Sequence, residues 1–162
     1  MESEFEMEVR QFLACPPFGY RMVPTEALAL FCAALTHDSY VNERGGESYE
    51  RLEFLGDAVL ELIACDRVYR DTSLTEGAMT DFKQDKVSNH MVSTRVLAFG
   101  PDIDGIMRVG GGHRGPEGSV IEENMRADSF EAILGAVYLT YGLEEAKRVA
   151  SETVLRDLPT DQ

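Results

Sequence analysis

The strongest constraint on the fold is a helical repeat of apolar residues that runs from Ser48 to about Arg70. The apolar positions recur every three, four or five residues, at Leu52, Leu55, Val59, Ile63 and Val68. This spacing places them on one side of an α-helix, and Ser48 is a typical helix cap. Because no segment of the chain shows the sustained alternation of a β-strand, the sequence predicts an all-α fold.

The other elements are predicted from the same periodicity and from prolines, glycines and capping residues. Helices are expected at residues 4–13, from a Thr25 cap to residue 36, at 75–100 with a break near Lys86, at a short stretch within 101–110, at 120–141 and at 143–155. A polar connection is expected at 37–47 and a flexible surface loop at 110–118. The glycines of that loop lack the preceding strand and following lysine of a phosphate-binding loop.

The composition predicts a single globular domain over residues 1–162, because 44% of the residues are apolar and the length suffices for a core. No apolar run reaches the ~18 residues of a membrane span, and the acidic N-terminus does not resemble a signal peptide. Cys15, Cys32 and Cys65 form no CxxC pair, so a zinc site is not expected. These features predict a soluble protein of the reducing cytoplasm.

The net charge of −14 argues against non-specific binding to nucleic acid, which normally requires a basic surface. The charge is unevenly distributed: it is −8 over residues 1–65, −2 over 66–126 and −4 over 127–162. A surface that meets a polyanion is therefore expected in the middle segment. The alternative interpretation of the acidity is solubility, or adaptation to a salty cytoplasm.

Two groups of acidic residues lie within apolar helical segments. In "ERLEFLGD", Glu50, Glu53 and Asp57 are spaced by three and then four residues, so they share one helix face. In "ADSFEAILGA", Asp128 and Glu131 also share a face. Like charges stacked in this way repel each other, and acids in buried helices are rare unless they are paired or bound to metal.

Two explanations of these acids are open. Arg51 and Arg126 could neutralise them in ion pairs. Alternatively, Gly56 and Gly135 could let the two helices approach, so that the acids converge and bind a divalent cation. A cluster of carboxylates would suit Mg²⁺, with Mn²⁺ as a possible substitute.

The order of these motifs resembles the ribonuclease III family. "ERLEFLGDAVL" at 50–60 is similar to the hallmark motif of that family, and "ADSFEAILGAVYL" at 127–139 is similar to its second acidic motif. "LTHDSYVNE" at 35–43 and "EGAMTDFKQDKVSN" at 76–89 resemble the segments on either side of the hallmark motif. The resemblance covers about residues 25–155.

The resemblance implies a helical endonuclease domain that forms a homodimer and cleaves double-stranded RNA with Mg²⁺. The expected products carry 5′-phosphate and 3′-hydroxyl ends with short 3′ overhangs, and ribosomal RNA processing is one possible role. The implied catalytic metal ligands are Glu53, Asp57, Asp128 and Glu131, with Glu50 in a supporting role. The alternative is a non-catalytic RNA-binding or scaffold module of the same fold. A scaffold would have no reason to keep the complete set of acids.

The chain departs from the family in two respects. Lys83 stands where the family usually has arginine, and Lys86 stands among positions that are commonly apolar. The chain also ends at Gln162, about where the double-stranded-RNA-binding domain of the bacterial enzymes would begin. This sequence is therefore expected to be an endonuclease domain only, either as a natural nuclease-only form or as a truncated one.

The remaining expectations concern binding surfaces. The candidates for RNA phosphate contacts are Lys83, Lys86, Arg95, Arg108 and Arg114, with His113 possible, although each could be an ordinary solvated charge. Phe54 and Leu55 are candidates for the dimer contact, unless they fill the core. His37 is expected to be a loop or packing residue and not a general base.

Overall fold

The computed structural model describes residues 1–71 and 73–156, and within these ranges the protein is a helical domain. The helices are α1 (Glu4–Ala14), α2 (Thr25–Ala34), α3 (Asp38–Arg44), α4 (Glu50–Tyr69), α5 (Glu76–Val87), α6 (Asn89–Phe99), α7 (Glu123–Tyr141) and α8 (Leu143–Glu152). A 3₁₀ turn at Gly111–His113 leads into an antiparallel hairpin of β1 (Arg114–Gly115) and β2 (Gly118–Ser119). The predicted all-α fold is confirmed.

The centre of the fold is the contact between α4 and α7, whose backbones touch at two glycines. A Cβ atom on Gly56 would lie 1.6 Å from the carbonyl oxygen of Glu131, and one on Gly135 would lie 2.7 Å from that of Leu52. Neither position can therefore hold a larger residue without moving a helix. This close approach brings the acidic face of α4 against the acidic face of α7.

The hydrophobic core surrounds α7, which is buried along most of its length. Phe130, Ile133 and Leu134 have no exposed surface, and neither do Phe31 of α2 and Leu60 of α4. Because α7 is enclosed by its neighbours, any polar side chain on its inner faces is held away from water. In the described part of the chain, no helix is long and apolar enough to cross a membrane.

Several boundaries agree with the sequence analysis. The predicted break near Lys86 is confirmed, since α5 ends at Val87 and the Ser88 hydroxyl accepts a hydrogen bond from the backbone N–H of Met91 at the start of α6. Gly142 ends α7 as expected. The last helix stops at Glu152, slightly before the predicted end. Residues 157–162 of the predicted single domain lie outside the described residues.

The prediction of a polar connection at 37–47 is wrong, because α3 lies within it. The His37 Nδ1 atom accepts a hydrogen bond from the Ser39 N–H and caps this helix. The His37 ring also lies edge-on to the rings of Tyr49 and His113, with centroids 5.7 and 4.9 Å away. His37 therefore has the capping and packing role expected of it.

The prediction of a helix within 101–110 is also wrong. The Arg108 N–H donates to the Leu35 carbonyl, and the Arg108 carbonyl accepts from the His37 N–H, both at 2.9 Å. These long-range bonds form a parallel bridge between Thr36 and Arg108, which takes the place of helical hydrogen bonds. The loop predicted at 110–118 contains the 3₁₀ turn and part of the hairpin, whose strands are too short to be recognised by alternation.

The glycine contact gives a direct test of the fold. We expect Gly56→Ala to lower the free energy of unfolding by about 3 kcal/mol or more, because the new methyl group would overlap the backbone of α7. Gly77→Ala on α5 is the matched control, since its Cβ meets no atom within 4 Å and alanine favours helix. Urea unfolding followed by circular dichroism measures both variants, and equal stabilities would contradict the packing.

Candidate metal centre

Three of the four predicted ligands converge where α4 faces α7. One carboxylate oxygen from each of Glu53, Asp128 and Glu131 can be chosen so that all three lie within 4.8 Å of one another. Asp57 is not part of this closest group. It lies one helical turn after Glu53 and is exposed, while its charge still acts on Glu131.

Glu131 is the most deeply buried of these acids, with 2% of its surface exposed. The pKa of its carboxyl group is raised from 4.5 to about 9. Burial is the largest cause, and the negative charges of Asp57, Glu53 and Asp128 contribute the rest. A neutral carboxylic acid is therefore favoured at this position around neutral pH in the metal-free protein. This is a large departure from the ordinary pKa of a glutamate.

The other three carboxyl groups are shifted in the same direction. The pKa of Glu53 is raised first by burial and then by Asp128, and that of Asp57 first by partial burial and then by Glu61. Burial also raises the pKa of Asp128, although a hydrogen bond with the Tyr49 hydroxyl opposes the shift. Among the described residues, every charged group that contributes to these shifts is another acid.

Ion pairing with arginine does not explain the cluster. Arg126, which precedes Asp128 on α7, donates two hydrogen bonds to the Asp104 carboxylate at 2.7 and 2.6 Å and a third to the Ser93 hydroxyl at 2.8 Å. Its guanidinium group is therefore already neutralised away from the cluster. Arg51 is exposed and makes no contribution to the pKa shifts of the four acids.

The donor set fits a hard divalent cation. The ligands are carboxylate oxygens from two helices. These carboxylates repel one another, and no positively charged side chain contributes to their pKa shifts among the described residues. Mg²⁺ and Mn²⁺ prefer such ligands. A buried charge of this kind is costly unless it is paired or coordinates a metal. The cluster could therefore bind a metal ion.

Glu50 lies at the edge of this site. It is exposed in the first turn of α4, and its charge contributes to the raised pKa of Glu53. It also lines a cavity of about 740 Å³ together with Arg51 and Phe54. This position fits the supporting role expected for Glu50 and does not place it among the three convergent acids.

The structure adds two residues that the sequence analysis did not single out. Tyr49 is buried beside Asp128, and its backbone N–H donates to the Thr36 carbonyl at 2.9 Å. Glu61 continues the acidic face of α4 one turn beyond Asp57. Its spacing of four residues was visible in the sequence, whereas the position of Tyr49 required the fold.

The five basic candidates for RNA contacts are in different environments. The Arg108 guanidinium is stacked between the rings of Phe5 and Tyr40, 3.8 and 4.6 Å from their centroids, and donates to the Thr36 hydroxyl. It is therefore built into the fold. Lys83 pairs with Glu61, Lys86 approaches the Phe82 ring, and the exposed Arg114 donates to the Val109 carbonyl. Arg95 approaches the Phe99 ring, and the Nε and Nη1 atoms of its guanidinium group are buried.

The fold and the site together define a helical domain with a cluster of carboxylates between its two central helices that could bind a metal ion. Residues 28–158 match the family model described as ribonuclease-III-like. The chain therefore belongs to the ribonuclease III-like family.

Individual relatives agree with this assignment. The chain is 35% identical over 138 residues to ribonuclease 3 of Onion yellows phytoplasma, a match that covers 84% of this chain and 56% of that protein. It is 40% identical over 126 residues to ribonuclease 3 of Streptomyces coelicolor, which covers 75% of this chain and 44% of that protein. The chain thus spans about half the length of the curated relatives that it matches.

A solved structure gives the same fold. The nuclease domain of ribonuclease III from Campylobacter jejuni, described for flexibility in a region involved in dimer formation, superposes with a TM-score of 0.71. The two chains are 25% identical, and the match covers 94% of this chain and 98% of the other. The helical arrangement around the acidic cluster is therefore that of a ribonuclease III nuclease domain.

The raised pKa of Glu131 predicts how stability depends on pH in the metal-free protein. A folded-state pKa above the unfolded value near 4.5 favours folding at low pH and loses that effect as pH rises towards 9. We expect the free energy of unfolding in EDTA to fall between pH 5.5 and pH 8.5, by on the order of a few kcal/mol.

Urea unfolding at several pH values measures this slope. Glu131→Gln should make the slope shallower, because the amide cannot ionise, whereas the control Glu8→Gln on the exposed face of α1 should keep it. Identical slopes in the wild type and Glu131→Gln would contradict the assignment. Adding Mg²⁺ should restore stability at pH 8.5 in the wild type more than in Glu131→Gln.

Proposed function

We propose that this protein is a metal-dependent endoribonuclease that cleaves double-stranded RNA and leaves 5′-phosphate and 3′-hydroxyl ends. The observation that carries the proposal is the convergence of Glu53, Asp128 and Glu131 between α4 and α7. Membership of the ribonuclease III-like family supports it, since relatives of this chain are named ribonuclease 3.

The metal would be Mg²⁺, with Mn²⁺ as a substitute, held by Glu53, Asp57, Asp128 and Glu131. When bound, a divalent cation lowers the pKa of a coordinated water towards about 7 and stabilises charge on phosphate oxygens. No histidine is needed as a general base, and His37 is occupied in capping α3.

The protein residues have distinct tasks in this proposal. Glu131 supplies a ligand that is fixed by burial, and its surroundings exclude bulk water from one side of the site. The Tyr49 hydroxyl orients the Asp128 carboxylate through their hydrogen bond. Glu50 lies on the exposed edge, where it can contact water in the outer part of the site. Because Asp57 is exposed and Glu131 is buried, the reacting phosphate would approach from the side of Asp57.

The competing proposal is a non-catalytic RNA-binding or scaffold module of the same fold. Such a module would not require four acids whose pKa values are all raised by burial and mutual repulsion. Because this arrangement destabilises the metal-free protein, its presence favours the enzyme. A net charge of −14 also favours transient binding to RNA over stable binding.

We expect Glu131→Gln to reduce cleavage of a defined RNA duplex in Mg²⁺ by at least about a thousandfold, because a metal ligand is lost. The assay separates both labelled strands on a denaturing gel and maps their ends. Glu8→Gln should cleave like the wild type. Normal cleavage by Glu131→Gln would remove the metal assignment, and failure of the wild type on every duplex would favour the scaffold.

The active form would be a homodimer. The Phe54 side chain lies in the second turn of α4 and is 81% exposed, and it borders the 740 Å³ cavity. Leu30, Leu55 and Leu139 line the same cavity, so a bulky apolar group stands beside an apolar recess. A two-fold contact would insert each Phe54 into the partner and bury both. The related Campylobacter domain is described with a region involved in dimer formation.

Two symmetric sites would each cut one strand of the duplex, and their fixed separation would produce short 3′ overhangs. A-form RNA would be recognised by shape through phosphates and 2′-hydroxyl groups. The acidic chain should bind RNA weakly and with strong dependence on salt. Ribosomal RNA processing and action in the cytoplasm stay predictions.

We expect Phe54→Asp to convert the dimer into a monomer at low micromolar concentration, because a charged group cannot enter the apolar recess. Sedimentation velocity measures the change. Met22→Asp is the matched control, since Met22 is 87% exposed and does not line the cavity. A monomeric wild type, or an unchanged dimer in Phe54→Asp, would refute this contact.

A further inference from the structure

The acidic face of α4 does not end at Asp57. Glu61 lies four residues later and therefore one turn further along the same face. The Lys83 ammonium group on α5 donates a hydrogen bond to the Glu61 Oε1 atom at 2.6 Å. A positive charge is thus held at the end of a row of acids.

A purely structural role is a weak explanation for this ion pair. The side chains of Lys83 and Glu61 are 22% and 47% exposed. Ion pairs with this much solvent contact usually contribute little to stability, because water screens the charges and two long side chains lose freedom. The position of the pair is more informative, since Glu61 continues the acidic face of α4 one turn beyond Asp57.

We propose, on the basis of the endonuclease function above, that Lys83 binds a phosphate of the RNA strand that is being cut, close to the scissile phosphate. Glu61 holds the ammonium group in place before RNA arrives and releases it to the phosphate. Glu53 and Glu61 are about 12 Å apart along the helix, from a rise of ~1.5 Å per residue. This separation of about 12 Å spans only a few nucleotides of an RNA strand, so the contacted phosphate is expected within about four nucleotides of the cut.

Lys86 is the other candidate on α5 for an RNA phosphate contact. Its contacts are with Asp85 and Phe82 and not with the acidic row, so the contact is assigned to Lys83 and Lys86 serves as the matched control. Its ammonium group lies over the Phe82 ring, 5.5 Å from the centroid, and 3.8 Å from the Asp85 carboxylate. It has no recorded contact with the acidic row of α4 among the described residues. Lys86→Gln therefore removes the same charge from α5 without removing the charge beside Glu61.

The two partners of the ion pair should act in opposite directions, which a structural pair would not do. In single-turnover cleavage of an RNA duplex in Mg²⁺, Lys83→Gln should raise the half-saturating enzyme concentration about tenfold. The maximal rate should change less than about threefold, and Lys83→Arg should retain most of the affinity. Glu61→Gln should lower the half-saturating concentration, because the phosphate no longer competes with a carboxylate.

Salt dependence identifies the contact as one with phosphate. The slope of log affinity against log salt should be smaller by about 0.7–0.9 in Lys83→Gln and unchanged in Lys86→Gln. Duplexes with a single neutral methylphosphonate should locate the phosphate. One position within about four nucleotides of the cut should weaken wild-type binding, and the same substitution should not weaken Lys83→Gln further.

A binding experiment without cleavage distinguishes failure of the Lys83 contact from failure of the proposed endonuclease function. Fluorescence anisotropy measures the affinity for the duplex without cleavage. It compares the single variant Glu131→Gln with the double variant that carries both Glu131→Gln and Lys83→Gln. Equal affinities and equal salt slopes in that pair would overturn the role of Lys83, even if the wild type cleaves normally. Loss of affinity in both Lys83→Gln and Glu61→Gln would also overturn it, because that outcome indicates a structural pair. A thermal melt of each variant confirms that the fold is retained.

Discussion

The backbones of α4 and α7 touch at Gly56 and Gly135, and this contact sets the packing of the helices around it. Because each glycine touches a carbonyl oxygen of the opposite helix, the two helices approach more closely than side chains would permit. α2, α6 and α8 also pack against α7, which is buried along most of its length. The same contact fixes the distance between Glu53 on one helix and Glu131 on the other. Packing and chemistry are therefore set by one pair of small residues.

This contact has an electrostatic consequence. It brings carboxylates together in a place where burial already disfavours their ionised forms, and all four have raised pKa values. Hydrophobic packing elsewhere offsets the resulting loss of stability, as is common where binding residues are held in unfavourable positions. The Tyr49 hydroxyl partly opposes the rise in the pKa of Asp128. Among the described residues, no comparable hydrogen bond lowers the pKa of Glu131. In the metal-free protein the cluster therefore favours protonated carboxyl groups, most of all at Glu131.

The small number of basic residues is distributed in a way that leaves the cluster unneutralised. Arg126 is directed to Asp104 and Ser93, where it joins α7 to the loop after α6 and to α6 itself. Arg108 is stacked between aromatic rings and joins that loop to α1 and α3. Lys83 is different because it reaches the acidic face of α4 through Glu61. The rigid, planar guanidinium groups of Arg108 and Arg126 therefore stabilise the fold, whereas the compact ammonium group of Lys83 lies beside the acidic face of α4.

Helical periodicity, glycines and capping residues are local signals, so the sequence alone predicts the helical class and the break near Lys86, and both are confirmed. The four acids remain predicted ligands. The sequence does not predict α3, because a histidine cap is not distinguished from a loop residue, and it does not predict the extended segment around Arg108, because the bridge to Thr36 joins residues that are distant in the chain. It also leaves open whether Arg126 neutralises the acids. The folded structure shows that Arg126 faces Asp104, that Glu53, Asp128 and Glu131 form the closest group, and that Lys83 lies at the end of the acidic row. The physical reason is that spacing along a helix defines which residues share a face, whereas the packing of helices decides what that face meets.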